Sequence, residues 1–140
     1  MLLRTDTSPV RSGPFATLIP VEYQAFLALP RIASLGLQLA DGRQHLTPVK
    51  ATYDEGRRAA YVIVDRQSVK ARRLTVEPSR VAIGEHDQSQ WITLEGRARL
   101  SLEPETLDRA RTLYRRRFDR PSRWGDAVVA LDIDRVLTGR

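Results

Sequence analysis

Short runs in which apolar residues recur at every second position, each closed by a turn signal, set the tightest limit on how this chain can fold. Ala33, Leu35, Leu37 and Leu39 lie on one side of such a run and Ser34, Gly36 and Gln38 on the other. That is the pattern of a strand with one buried face. Asp41-Gly42 then marks a hairpin, because glycine takes a positive φ at little cost. A second strand is expected from Gln44 to Tyr53, its ladder broken by Pro48, which has no N–H to donate. After the turn at Asp54-Glu55-Gly56, the third strand, Ala59 to Asp65, is apolar on both sides at Tyr61-Val62-Ile63-Val64, as a central strand would be. The fourth runs from Arg80 to Glu85 and the last from Ala127 to Val136. Between them, the fifth puts Ile92, Leu94, Ala98 and Leu100 on one face and Thr93, Glu95, Arg97 and Arg99 on the other. Gly96 within it predicts a bulge or a close backbone approach.

Helical spacing interrupts this pattern three times. Pro20 suits a first helical position, Tyr23, Phe26 and Leu27 share a face, and Pro30 ends the segment. Ser68 is an N-cap for a helix ending near Pro78. Pro104 opens the longest helix, with Leu107, Ala110, Leu113, Tyr114 and Phe118 on its buried side. Its acidic residues come first and Arg115, Arg116 and Arg117 last, which complements the helix dipole; the arginines read as a helix-end cluster or as a contact for an acidic cofactor tail. The result is a mainly β fold with flanking helices, whose many antiparallel neighbours favour closure of the sheet on itself. Residues 1–19, with Pro9, Gly13 and Pro14, read as an extended arm, and residues 20–140 as one domain.

Composition narrows the functional classes. The absence of cysteine removes disulfides, thiolate metal sites and thiol chemistry. His45 and His86 have no ligand spacing, so no metal site is expected. No run approaches the roughly 18 to 20 apolar residues of a membrane span, and Met1-Leu2-Leu3-Arg4 shows no apolar signal region. A cytoplasmic location is expected. The net charge of +6 is almost wholly arginine, Lys50 and Lys70 being the two lysines. Such a chain attracts an anionic partner. Nucleic acid is disfavoured, since aromatics are only 6% and do not interleave with the arginines as a stacking platform would.

The stretch Asp65-Arg66-Gln67-Ser68-Val69-Lys70-Ala71-Arg72-Arg73 is the most informative. A strand delivers the chain to a helix N-terminus, where unpaired N–H groups and the dipole favour an anion. A serine sits at the cap and three cations follow, the components a phosphate needs. The same residues also describe a capped surface helix with solvated arginines. Asp132 and Asp134, alternating with Ile133, read as solvated or paired with arginines. Lys50 and Tyr53, at the end of the second strand, are expected to face the site as candidate proton donors.

Three segments in this order, Asp41-Gly42-Arg43-Gln44-His45-Leu46-Thr47-Pro48-Val49, Ser68-Val69-Lys70-Ala71-Arg72-Arg73-Leu74 with Pro78, and Trp91-Ile92-Thr93-Leu94-Glu95-Gly96, resemble the pyridoxamine-phosphate-oxidase-like split-barrel family. Within it the chain is most similar to the actinobacterial flavin- and deazaflavin-dependent oxidoreductases, over about Phe26 to Leu137. The resemblance implies an FMN-binding-like split β-barrel, homodimeric, with cofactor sites between the subunits. It assigns the cofactor phosphate to Lys70, Arg72 and Arg73, with Ser68 and Gln67 as further donors, and the tricyclic ring to Thr47, Pro48 and Val49. Many relatives have asparagine where this chain has Arg73. Trp91 would shield the ring or pack at the dimer seam. The implied activity is hydride transfer from reduced coenzyme F-420 to an unsaturated small-molecule acceptor. The alternatives are an FMN-dependent oxidoreductase on the same barrel and a non-catalytic binder of flavin, deazaflavin or haem.

Overall fold

In the computed structural model the described residues are 5–9, 18–122 and 124–140. The elements run β1 (Thr5–Pro9), α1 (Val21–Ala28), β2 (Ala33–Gln38), β3 (Gln44–Val49), β4 (Ala51–Asp54), β5 (Ala59–Val64), α2 (Val69–Val76), β6 (Ser79–His86), β7 (Trp91–Ser101), α3 (Pro104–Phe118) and β8 (Ala127–Gly139). All pairings are antiparallel, in the order β3-β2-β6-β7-β8-β5-β4. The two end strands of that order, β3 and β4, are joined through the single residue Lys50. The sheet therefore curls until its edges meet at that residue, giving a half-barrel. Of the expected N-terminal arm, Thr5–Pro9 is extended and pairs with β8 over Arg135–Gly139, beyond the end of β5. Residues 1–4 and 10–17 lie outside the described residues.

The expected break at Pro48 is displaced to Lys50. Pro48 stands within β3, opposite Ser34. β3 is an edge strand, where a missing N–H on the unpaired side costs nothing; the chain leaves the ladder only where it crosses from one edge to the other.

β5 is buried along its whole length, for a reason the alternation makes plain. Ala60, Val62 and Val64 join the main interior cluster with Leu35, Ile83, Ile92, Leu94 and Leu131. Ala59, Tyr61 and Ile63 face Ala110 and Tyr114 of α3 on the other side. Each large aliphatic side chain removed from water in this way is worth about 1.5–3 kcal/mol. α1 contributes Tyr23, Phe26 and Leu27 to the main cluster, and the Tyr23 hydroxyl donates to the Gly139 carbonyl at 3.1 Å. The bulge expected at Gly96 is present: the β7–β8 register slips between Glu95 and Gly96. A Cβ at Gly96 would stand 1.8 Å from the Asp132 carbonyl oxygen, so only glycine fits. Among the described residues no helix is long and apolar enough to cross a membrane.

Candidate functional site

The loop from β5 into α2 is fixed by its own side chains. Asp65 accepts from the Gln67 N–H at 2.7 Å, and the Ser68 N–H donates to the Asp65 carbonyl at 2.9 Å. Asp126, ahead of β8, accepts from the Arg66 N–H at 2.9 Å and from its Nε at 2.7 Å. Ser68 Oγ accepts from the Ala71 N–H at 3.3 Å, so the expected N-cap is formed. Lys70 follows in the first turn of α2, half-buried, and burial holds its pKa below the usual 10.5.

Lys70 lines a cavity of about 280 Å³ whose walls come from widely separated parts of the chain. β3 supplies Pro48 and Val49, β5 supplies Val62 and Ile63, α3 supplies Tyr114, and the loop before β8 supplies Trp124. Trp124 is 63% exposed beside it. Lys50, at the corner between β3 and β4, is the second cation of the lining. Its ammonium lies 6.0 Å from the centre of the Tyr114 ring and 5.6 Å from that of Phe118. Among the described residues no carboxylate lines the cavity. An apolar slot with cations in its wall suits a flat conjugated body carrying negative charge.

The structure thus brings Pro48, Val49 and Lys70 together. Thr47 is the half-buried neighbour on β3, opposite Leu35. Gln67 and Ser68 stand at the mouth of α2, and Arg72 is exposed on it. Arg73 is turned away: its Nε donates to the Gln38 carbonyl at 3.0 Å, and its guanidinium reaches Ser79 at 3.5 Å and Glu77 at 3.8 Å. Trp91 lines a separate cavity of about 320 Å³ at the β6–β7 turn, with His86 and Arg140. Within one chain, then, Arg73 and Trp91 do not share the cavity of Lys70.

Sequence reasoning missed a buried polar cluster beside this site. Arg117 is only 8% exposed and Glu85 2%. The Arg117 guanidinium forks onto Glu85, with Nη1 at 2.9 Å from Oε2, and also donates to the carbonyls of Ala51 at 2.7 Å and Leu29 at 2.9 Å. The Tyr53 hydroxyl donates to Glu85. Burial, and then the neighbouring Glu85 charge, push the Tyr53 pKa well above its usual 10.0. Tyr53 therefore stays protonated and committed to Glu85, and it does not line the cavity that Lys50 lines. Burial works against the charge on Arg117, but Glu85 overcomes it and the guanidinium pKa is raised. The signal was present in the sequence: Arg117 falls three residues after Tyr114 and seven after Ala110, on the buried face of α3. Arg115 and Arg116 are exposed. Of the two aspartates on the last strand, Asp134 receives a two-pronged contact from Arg80 at 2.7 and 2.8 Å and Asp132 is exposed.

No protein-family model matches the sequence. The chain is 30% identical over 115 residues to the F420H(2)-dependent biliverdin reductase of Mycobacterium tuberculosis (strain CDC 1551 / Oshkosh), covering 81% of this chain and 82% of that protein. Among solved structures, an F420 reductase superposes with a TM-score of 0.66 at 16% identity, over 84% of this chain and 98% of that one. A putative pyridoxamine 5'-phosphate oxidase from Lactobacillus delbrueckii superposes with a TM-score of 0.61 at 14% identity, over 86% and 93%. The two structural likenesses establish the fold, and the sequence relative establishes descent. The chain belongs to the pyridoxamine-phosphate-oxidase-like split-barrel family, in its flavin- and deazaflavin-dependent oxidoreductase branch.

Proposed function

We propose that this protein is an oxidoreductase that uses reduced coenzyme F-420 to deliver hydride to an unsaturated organic acceptor. The observation that carries the reading is the position of Lys70: a half-buried ammonium in the first turn of a serine-capped helix, sharing a cavity with Pro48 and Val49. The donor set suits the coenzyme. Its phosphate would sit against Lys70 and the N-terminus of α2, and its ring along Pro48 and Val49, with Thr47 beside them. Ser68, Gln67 and Arg72 stand near enough in sequence to add donors. The relative whose name specifies F420H(2) supports the choice of coenzyme, and its acceptor, biliverdin, supports a conjugated one.

When bound, the coenzyme supplies the hydride chemistry. What the chain supplies is placement and surroundings. The Val49, Val62 and Ile63 side chains give the slot an apolar wall, so that a bound ring would displace water from it and strengthen the charge–charge contacts made there. Lys70 would hold the anionic end, and Pro48 and Val49 would line the ring. A homodimer, in which Trp91 of a second copy reaches the ring, is part of the same proposal.

Equilibrium titration with coenzyme F-420 and FMN side by side tests it. Coenzyme F-420 is expected to bind more tightly than FMN, and Lys70→Ala to weaken it about 10- to 100-fold, the worth of one charge-assisted contact of about 1.5–3 kcal/mol. Tighter binding of FMN makes the protein an FMN-dependent oxidoreductase. Uptake of reduced coenzyme that no panel of enones, quinones and tetrapyrroles can reoxidise makes it a non-catalytic binder.

A further inference from the structure

Both lysines of this arginine-rich chain line the one cavity, and the proposed function uses only Lys70. Lys50 stands on the α3 side of that cavity. Its ammonium is held over the faces of Tyr114 and Phe118, and no carboxylate lies within ion-pairing distance of it among the described residues. Cation–π contact stabilises an ammonium by only about 0.5–2 kcal/mol and uses none of its hydrogens as conventional donors. Lysine is also the less obvious choice here. Elsewhere the sequence meets its need for positive charge with arginine, whose fork spreads over several acceptors, as Arg117 does on Glu85, Ala51 and Leu29. A compact ammonium projecting into an apolar slot suits a single anionic group arriving with a ligand.

We infer that Lys50 is the anchor for a carboxylate carried by the acceptor, so that the substrates of this protein are flat, conjugated acids. The inference rests on the proposed function in that it gives the coenzyme's phosphate to Lys70 and leaves Lys50 for the second ligand. The walls around Lys50 fit such a body. Tyr114 and Val49 flank it within the cavity, and the exposed indole of Trp124 offers a stacking face at the same opening. An acid docked there replaces the water on Lys50 by a charge-assisted contact, whereas a neutral analogue of the same shape leaves the ammonium facing its ring.

Calorimetric titration with 2-naphthoate and its neutral isostere 2-naphthamide, on protein saturated with coenzyme F-420, tests the inference. The acid is expected to bind about tenfold more tightly than the amide, the equivalent of roughly 1.4 kcal/mol. Lys50→Met should bring the two probes within about twofold of each other, and Lys50→Arg, which keeps the charge, should retain most of the preference. Equal binding of the two probes to the native protein, or a preference that survives Lys50→Met, overturns the inference. So does a loss of coenzyme F-420 affinity in Lys50→Met as large as that in Lys70→Ala, which would move Lys50 into the cofactor site while leaving the proposed function intact. If the chain binds no coenzyme F-420, the proposed function fails, and the same two probes titrated into the free chain still decide the role of Lys50.

Discussion

At the scale of single residues, the site turns on what an ammonium does when half its surroundings are apolar. Burial lowers the Lys70 pKa below 10.5 because the charged form loses hydration that no neighbouring carboxylate replaces. In the ligand-free protein the folded state therefore gives up this proton at a lower pH than the unfolded chain does. Between the lowered value and 10.5 the unfolded state binds more protons, so this residue's effect on stability becomes more favourable as pH rises through that window. Binding of an anion acts in the opposite sense, favouring the ammonium and drawing a proton back. Coenzyme F-420 binding should accordingly take up protons in the alkaline range just below 10.5, and its affinity should fall as pH rises there. Calorimetry in buffers of different ionisation enthalpy measures that uptake directly. It should vanish in Lys70→Met, and uptake that persists in the variant would assign it to another group.

At the scale of elements, α3 is tied to the sheet by a charge rather than by aliphatic packing alone. Arg117 joins the end of this helix to β6 through Glu85, to β4 through Ala51 and to the segment after α1 through Leu29. Arg117→Leu leaves Glu85 buried with its hydroxyl donor Tyr53 and with Arg31, whose guanidinium is 3.6 Å away. Breaking a buried pair in this manner should cost about 3–5 kcal/mol, read as a shift of the urea midpoint. Glu85→Gln in the same chain should recover part of that loss, because the buried carboxylate charge, left with only the 3.6 Å ion pair to Arg31, is then removed. Element by element, the strands could be read from the sequence, because a side chain's face in a sheet depends only on the parity of its position. The corner at Lys50 could not: Pro48 is the visible ladder-breaker, but whether a proline breaks a ladder depends on whether its strand lies at an edge, which only the assembled sheet determines. Arg117 was hidden for a related reason. Three adjacent arginines look alike in sequence, yet successive residues of a helix point about 100° apart, and only the third shares the face of Ala110 and Tyr114. Arg73 lies one turn on from Lys70, and what takes its guanidinium away from the cavity is tertiary: the Gln38 carbonyl, Ser79 and Glu77. Pro48, Val49 and Lys70 could be brought together by the order of their motifs, whereas Trp91 begins a strand whose opening residue pairs with Gly139, at the far end of β8 from the segment that meets Val62 and Ile63.

At the scale of the whole molecule, a strongly basic chain has to fold against its own charge. Its 23 lysines and arginines face 17 carboxylates, and several of the latter are placed to offset surface arginines. Hydrogen bonds from Arg43 hold the Asp41 carboxyl below the usual 3.8, and those from Arg66 do the same for Asp126. Arg80 lowers Asp134, and the Ser89 and Gln90 N–H groups lower Asp87. For each of these groups the folded pKa lies below the unfolded one, so the stabilisation is present above 3.8 and is lost as pH falls through the lowered values. The pairs are exposed and individually weak. Their protonation matters because it removes negative charge from a molecule that already carries +6 at neutral pH, so self-repulsion grows just as the attractive contacts disappear. Thermal unfolding followed by circular dichroism should show Tm dropping once pH passes below 3.8, with added salt raising Tm at pH 3 more than at pH 7, since screening then acts on net repulsion. An acid loss that salt deepens instead would mean that specific ion pairs, and not the summed charge of the arginines, limit the fold.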